Sequence, residues 1–169
     1  MNEILRLFAP LVGKMAWGIH QTHGSCFLIE FGEPRLKSLG PLQVGTNASV
    51  EQIHRTRRRH AVLYGQWTLL IQDCAWKLQA WESVVNDSAP ANDMRAPFED
   101  LTGQFLESVR YDEADCSCIF EFDLGARLIT TPGSDFNPDW VQWTLNTFEG
   151  HYTSLLNNGV ISFKAGDVA

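Results

Sequence analysis

The chain has 169 residues, near the commonest size for one domain, and a domain of that size buries roughly 70% of the surface its unfolded chain exposes. Apolar residues make up 44% and charged residues 20%, with ten Phe, six Trp and three Tyr to fill a core, which excludes disorder, collagen and a disulfide-stapled miniprotein. The formal charge of −7 works against broad contact with nucleic acid or anionic lipid and favours a basic or neutral partner.

In chain order, Asn2 to Phe8 reads as a short helical segment, with Ile4, Leu5 and Phe8 at helical spacing and Pro10 ending it. The start carries Glu3, no basic n-region and no A-x-A pattern, and no run approaches the roughly eighteen apolar residues of a membrane helix. The expectation is a bacterial cytoplasmic protein with neither export signal nor membrane span. Met15 to Ile19 and Phe27 to Phe31 alternate with period two and flank the turn formers Gln21-Thr22-His23-Gly24, which makes a hairpin. Gly32-Glu33-Pro34 then reverses the chain into Arg35-Leu36-Lys37 and extends the hairpin to a three-stranded meander. Residues 61–81 read as two strands broken at Gly65, with a bulge near Gln72-Asp73. Residues 86–100 contain Pro90 and Pro97 without a period and read as an exposed, mobile connector. Beyond it, Phe105 to Val109, Cys118 to Leu124 and Arg127 to Ile129 form a second meander, with Asp112-Glu113-Ala114-Asp115 as its first turn. Asn157-Asn158-Gly159 is a turn before a last strand, Val160 to Phe163.

The two meanders share residues. Leu11-Val12-Gly13-Lys14 recurs as Leu101-Thr102-Gly103-Gln104, Phe27-Leu28-Ile29-Glu30-Phe31 as Cys118-Ile119-Phe120-Glu121-Phe122, Arg35-Leu36 as Arg127-Leu128, and Gln66-Trp67-Thr68-Leu69 as Gln142-Trp143-Thr144-Leu145. The preserved order implies an internal repeat with units at about 10–81 and 100–163, joined by the connector 86–100. The first unit then carries about sixteen additional residues, within 38–62. The fold this implies is a single all-β domain over 1–169, in which two related antiparallel meander units form a sandwich or partly open barrel behind a short N-terminal helical segment. Phe31 and Phe122 are expected to meet, and Trp67 and Trp143 to hold equivalent buried positions.

Chemistry-bearing patterns are sparse. His20, His23 and Cys26 are three apart and Cys116 and Cys118 two apart, short of the four convergent ligands that zinc takes in its usual spacings. Cys118 continues the face of Phe120 and Phe122 and reads as a small buried hydrophobe, and all four cysteines as reduced thiols. There is no G-x-S-x-G, H-E-x-x-H, phosphate loop or G-x-G-x-x-G. His151 with Asp135, Asp139 and Ser134 makes a triad only on paper. The expectation is no catalytic residue, no cofactor and no metal.

Candidate binding residues remain. His20 and His23 sit at the first hairpin turn. In His54-Arg55-Thr56-Arg57-Arg58-Arg59-His60, a strand places Arg55, Arg57 and Arg59 on one face as a cationic ladder, whereas a helix capped by Ser49 with Gln52 wraps them around one end. Removing these four arginines from −7 leaves −11 on the rest of the chain. Trp17, Trp67 and Trp143 lie on inward faces, while Trp76, Trp81 and Trp140 are less clearly inward, which makes Trp76 and Trp140 candidate anchors for a partner.

The pattern L-V-G-K-x-x-W-G-I, H-G-S, I-E-F-G, G-Q-W-T-L-x-I-x-x-C-x-W, L-x-G-Q and F-E-F-D-L-G-x-x-L, over roughly residues 10–145, resembles a group of small uncharacterised bacterial proteins without an assigned activity. That resemblance implies an all-β cytoplasmic protein and transfers no site residue. The functional expectation is a non-enzymatic protein whose acidic surface recognises another protein, in the manner of an immunity or accessory factor. Nucleic acid is a disfavoured partner, left as a third class through Arg55 to Arg59, no membrane partner is expected, and a homodimer is compatible. The competing class is a small-molecule binder or enzyme with a site between the two units, where Trp17, Trp67, Trp143, His20 and His23 would meet.

Overall fold

A computed structural model describes residues 3–133 and 135–165. The chain is mostly β, 45% strand and 17% helix, in antiparallel sheets of six, five and two strands with no closed barrel. The six-stranded sheet has the order β1 (Ala16–Gln21), β2 (Phe27–Phe31), β5 (Trp67–Ile71), β11 (Val141–Thr147), β12 (His151–Leu156), β13 (Ile161–Ala165). The five-stranded sheet runs β7 (Ser83–Asn86), β6 (Ala75–Ala80), β10 (Arg127–Thr131), β9 (Ser117–Phe122), β8 (Leu106–Asp112). A separate ribbon pairs β3 (Arg35–Leu39) with β4 (His60–Tyr64) and carries α2 (Val50–Thr56) between them.

Alternation decides which face goes in. Phe27, Ile29 and Phe31 on β2, Leu69 and Ile71 on β5, and Trp143 and Leu145 on β11 bury one face of the larger sheet. Cys118, Phe120 and Phe122 on β9, Leu128 on β10 and Trp76 and Leu78 on β6 supply the facing layer. Phe31 stacks on Phe122 with ring centroids 6.4 Å apart and planes within 9°, so the expected meeting of these two rings occurs.

Two helical lead-ins close the core. The first is α1 (Glu3–Phe8) with the 3₁₀ turn Ala9–Leu11, which seats Ile4, Phe8 and Leu11. The second, α3 (Ala91–Leu101), seats Met94, Phe98 and Leu101 with the same spacing. This corrects the reading of 86–100 as a mobile connector. Its apolar residues recur at three and four, and the face they make is buried although Pro97 lies inside the helix. Phe8 meets Phe120 and Trp143 edge-on at 5.2 and 5.1 Å, while Phe98 lies 5.0 Å from Phe27, itself edge-on to Trp76 at 4.7 Å.

After each lead-in the chain crosses its counterpart. Gly13 N–H donates to Leu106 O and Gly103 N–H to Ala16 O, both at 2.8 Å; Ala16 N–H donates to Gln104 O at 2.8 Å and Leu106 N–H to Lys14 O at 3.0 Å. Met15 and Phe105 face each other in an antiparallel bridge at the centre. Gly13 and Gly103 adopt φ of 78° and 91° with open space where a Cβ would stand, so the backbone conformation, not crowding, calls for glycine there.

Strand pairing departs from the sequence reading in three places. β3 does not continue the first meander; it pairs with β4, and β5 takes its place beside β2. The stretch 61–81 holds three strands, because the chain turns at 72–74 and enters the other sheet as β6. Trp67 and Trp143 stand on adjacent strands of one sheet, where Trp143 pairs with Ile71 and Trp67 with Thr147. Ile71 lies between Phe27 and Trp143, just as Thr130 lies between Cys118 and Trp76. The residue that matches Trp143 in strand register is therefore Trp76.

Candidate functional site

One end of the sandwich is built from turns: residues 22–26, 72–74, 113–116, 132–133 with 135–140, and 157–160. Side chains tie them together. Gln142, fully buried, donates through Nε2 to Cys116 O at 3.1 Å and accepts from Thr130 Oγ1 at 2.6 Å. Asn157 Nδ2 donates to Asp73 O at 2.7 Å, its N–H donates to Trp140 O at 2.9 Å, and Asn158 Nδ2 donates to Asp139 Oδ1 at 3.0 Å. Trp76 Nε1 donates to Ser25 O at 2.9 Å and fixes the first hairpin turn to this network. The turns are thus cross-linked, partly to one another and partly through Gln142 of β11 and Trp76 of β6.

Asp73, Asp112, Glu113, Asp115, Asp135 and Asp139 are exposed on these turns. The hydroxyl and backbone N–H of Ser117 hold the Asp115 carboxyl below its ordinary range. Arg110 nearby is compensated by Glu121 at 2.7 Å. Among the acids stands Trp140, 48% exposed, with Phe136 edge-on at 6.4 Å.

All four cysteines are free thiols at or near this end. Burial pushes Cys118 up to about 12, although Trp143 Nε1 donates to its sulfur at 3.3 Å. Burial likewise raises Cys74, whose Sγ reaches Gln142 O, and raises Cys26, which Asp73 shifts further in the same direction. These three thiols are therefore protonated at neutral pH and are poor nucleophiles. Cys116 takes a positive φ of 56° at the turn, and Tyr111 is raised by burial and then by its hydrogen bond to Cys116. Among the described residues no group of three or more His, Cys, Asp or Glu is arranged to hold a metal ion.

The residues singled out in the sequence scatter. His20 is exposed on β1, its Nδ1 2.9 Å from Gly18 O, and lines a cleft of about 270 Å³ with Arg95 and Glu99 of α3. His23 is exposed in the acidic-end turn. The arginine cluster takes the helical alternative: Ser49 and Gln52 form a capping box on α2, Arg55 pairs with Glu51 at 2.6 Å, and Arg57 is the C-cap. Arg59 is exposed just before β4. Trp76 is not an exposed anchor but 2% exposed, because β6 turns it inward onto Phe27. Trp81, by contrast, is 75% exposed at the β6–β7 turn, with φ 52°.

The cleft expected to gather Trp17, Trp67, Trp143, His20 and His23 does not form. Trp17 stands opposite Glu30 on the outer face of the large sheet, whereas Trp67 stands opposite Phe31 on the inner face and Trp143 is fully buried. Of the paper triad, Ser134 lies outside the described residues, and β11 separates His151 from Asp135 and Asp139. The sequence signal for the acidic end was the turn composition itself. What it lacked was any sign that the separate turns share one end.

No protein-family model, curated protein or solved structure matches this chain.

Proposed function

We propose that this protein is a non-enzymatic binding protein of the bacterial cytoplasm whose acidic end docks a basic surface of another protein, as an immunity or accessory factor does. The observation that carries the reading is the segregation of charge along the sandwich. Residues 33–64, the ribbon and α2, hold six Lys and Arg against Glu33 and Glu51, so they carry +4 and the remainder of the chain −11. The ribbon leaves the sandwich where β2 ends and returns where β5 begins, opposite the turns that bear the carboxylates. A basic partner is thus steered to one end, where Trp140 supplies an aromatic anchor among charges.

Affinity capture from a bacterial lysate at low and moderate salt tests this. A basic protein retained at low salt, and lost from a variant with Asp112→Lys, Glu113→Lys and Asp115→Lys, is the expected result. Recovery of no protein at either salt overturns it.

The finer architecture belongs to the same proposal: the chain is two copies of one lead-in, crossing and sheet unit, with the ribbon inserted into the first. The paired hydrogen bonds of Gly13 and Gly103, the matched trios Ile4, Phe8, Leu11 and Met94, Phe98, Leu101, and the register match of Trp143 with Trp76 support it. On this reading the insertion is the whole ribbon, longer than the sixteen residues that the Gln-Trp-Thr-Leu match suggested.

A further inference from the structure

The ribbon folds its charged side over the outer face of the six-stranded sheet. In its register Arg35 faces Tyr64 and Lys37 faces Val62, while Leu36 and Leu63 form the other side and are exposed. Arg35 anchors the ribbon, reaching Glu149 at 3.1 Å and lying 5.2 Å over the Phe148 ring. Beneath Lys37 and Tyr64 is a cleft of about 310 Å³, at the lower end of the range for small-molecule sites of about 300–1,000 Å³.

Its charged groups do not pair with one another. Glu30, 5% exposed, is fixed in place by Gly65 N–H at 2.8 Å and Thr68 Oγ1 at 2.6 Å, both donating to Oε2. Gly65 makes this possible: a Cβ there would stand 2.6 Å from Phe31 O, so only glycine brings the N–H so close to the sheet. Among the described residues Glu30 has no ion pair. Lys37 has none either, and the two line one cleft without meeting. Asn146 Oδ1, on β11 in the same cross-strand row as Thr68 and Glu30, is buried and has no donor. A lone cation would leave Lys37 facing a second positive charge, and a lone anion would confront Glu30. A molecule with both charges gives the buried Glu30 and Asn146 Oδ1 the donor that a buried charge or acceptor needs, while its anionic end pairs with the exposed Lys37.

We propose that this cleft binds a small ammonium–carboxylate zwitterion with an apolar side chain, in chemical class an α-amino acid. The ammonium donates to Glu30 and to Asn146 Oδ1, the carboxylate pairs with Lys37, and the side chain lies on Leu28, Leu70 and Phe148. This role is independent of protein docking at the acidic end.

Amide NMR of the full chain tests it, with L-phenylalanine and L-leucine as zwitterions, phenethylamine as the cation alone and 3-phenylpropionate as the anion alone. The expected result is saturable shifts at Gly65, Thr68 and the Asn146 side-chain amide with at least one zwitterion, at a Kd about tenfold or more below that of either half-molecule. Lys37→Met, on the exposed ribbon, should leave the rest of the spectrum unchanged and bring L-phenylalanine to the affinity of phenethylamine. Glu30→Gln, which keeps the shape and acceptor of the side chain, should bring it to that of 3-phenylpropionate. The proposal fails if neither amino acid gives saturable shifts, if phenethylamine binds as tightly as L-phenylalanine, or if Lys37→Met changes nothing.

Discussion

The two lead-ins to the sandwich, Glu3–Leu11 and Ala91–Leu101, do the same work with opposite local signals. In the first, Pro10 falls at the start of the 3₁₀ turn, where a missing N–H costs little. In the second, Pro97 lies inside the helix, where proline costs about 3 kcal/mol. Met94, Phe98 and Leu101 offset that cost, since each such side chain contributes roughly 1.5–3 kcal/mol when buried. The difference teaches that a breaker residue decides a segment only when no complete apolar face opposes it.

The strongest way to break this comparison is truncation. Phe8→Ala and Phe98→Ala should each cost about 3–5 kcal/mol in denaturant unfolding, as should Trp143→Ala and Trp76→Ala. A cost near zero for Phe98→Ala would mean that α3 is not the equal of α1, and an inexpensive Trp76→Ala would undo the register match. High pH should loosen both sheets together. The Cys118 thiol has an ordinary value of 9.0 and is pushed up to about 12 in the fold. Below pH 9 both folded and unfolded chains hold the proton and stability is at its full value. Above it the unfolded chain loses its proton first, so stability should fall by about 1.4 kcal/mol per pH unit for such a group until about pH 12. Cys74 and Tyr111, raised by burial in the same direction, steepen the fall. Denaturation midpoints that stay flat above pH 9 would contradict the burial of these groups.

Gly13→Ala and Gly103→Ala sharpen the crossing: each forces a left-handed backbone on alanine with no clash, so each should cost about 1–2 kcal/mol and by similar amounts. Unequal costs would show that the two crossings are not matched. The ribbon has no counterpart in the second half, and Arg55→Ala should remove only about 0.3–0.5 kcal/mol through its pair with Glu51. Trp140→Ala should change stability within about 0.5 kcal/mol while weakening capture of a basic partner, which separates a surface anchor from the core tryptophans.

Much of the fold was legible because alternation is local. The inward faces of β2 and β9, the hairpin turns at 21–26 and 112–116, and the glycines at 13 and 103 follow from residues a few positions apart, where sterics and solvent alone choose. The Ser49–Gln52 capping box was readable for the same reason. Strand partners were not, because pairing is settled by which strand arrives at an open edge, and β5, forty residues from β2 in the chain, displaced β3 there. That exchange moved the equivalence of Trp143 from Trp67 to Trp76 and turned a supposed anchor into core. The acidic residues were visible as turn formers, but only packing gathered five turns at one end.

By itself the sequence determined that this is a mostly β chain with two alternating halves and a cationic segment set apart from an acidic remainder, since periodicity and charge are properties of neighbouring residues. Only the tertiary structure decided that 91–101 is a buried helix and that Glu30, Lys37 and Asn146 line one cleft. Those outcomes depend on burial against distant strands, and a group on β2, another on β3 and a third on β11 carry no mark in the sequence that they will meet.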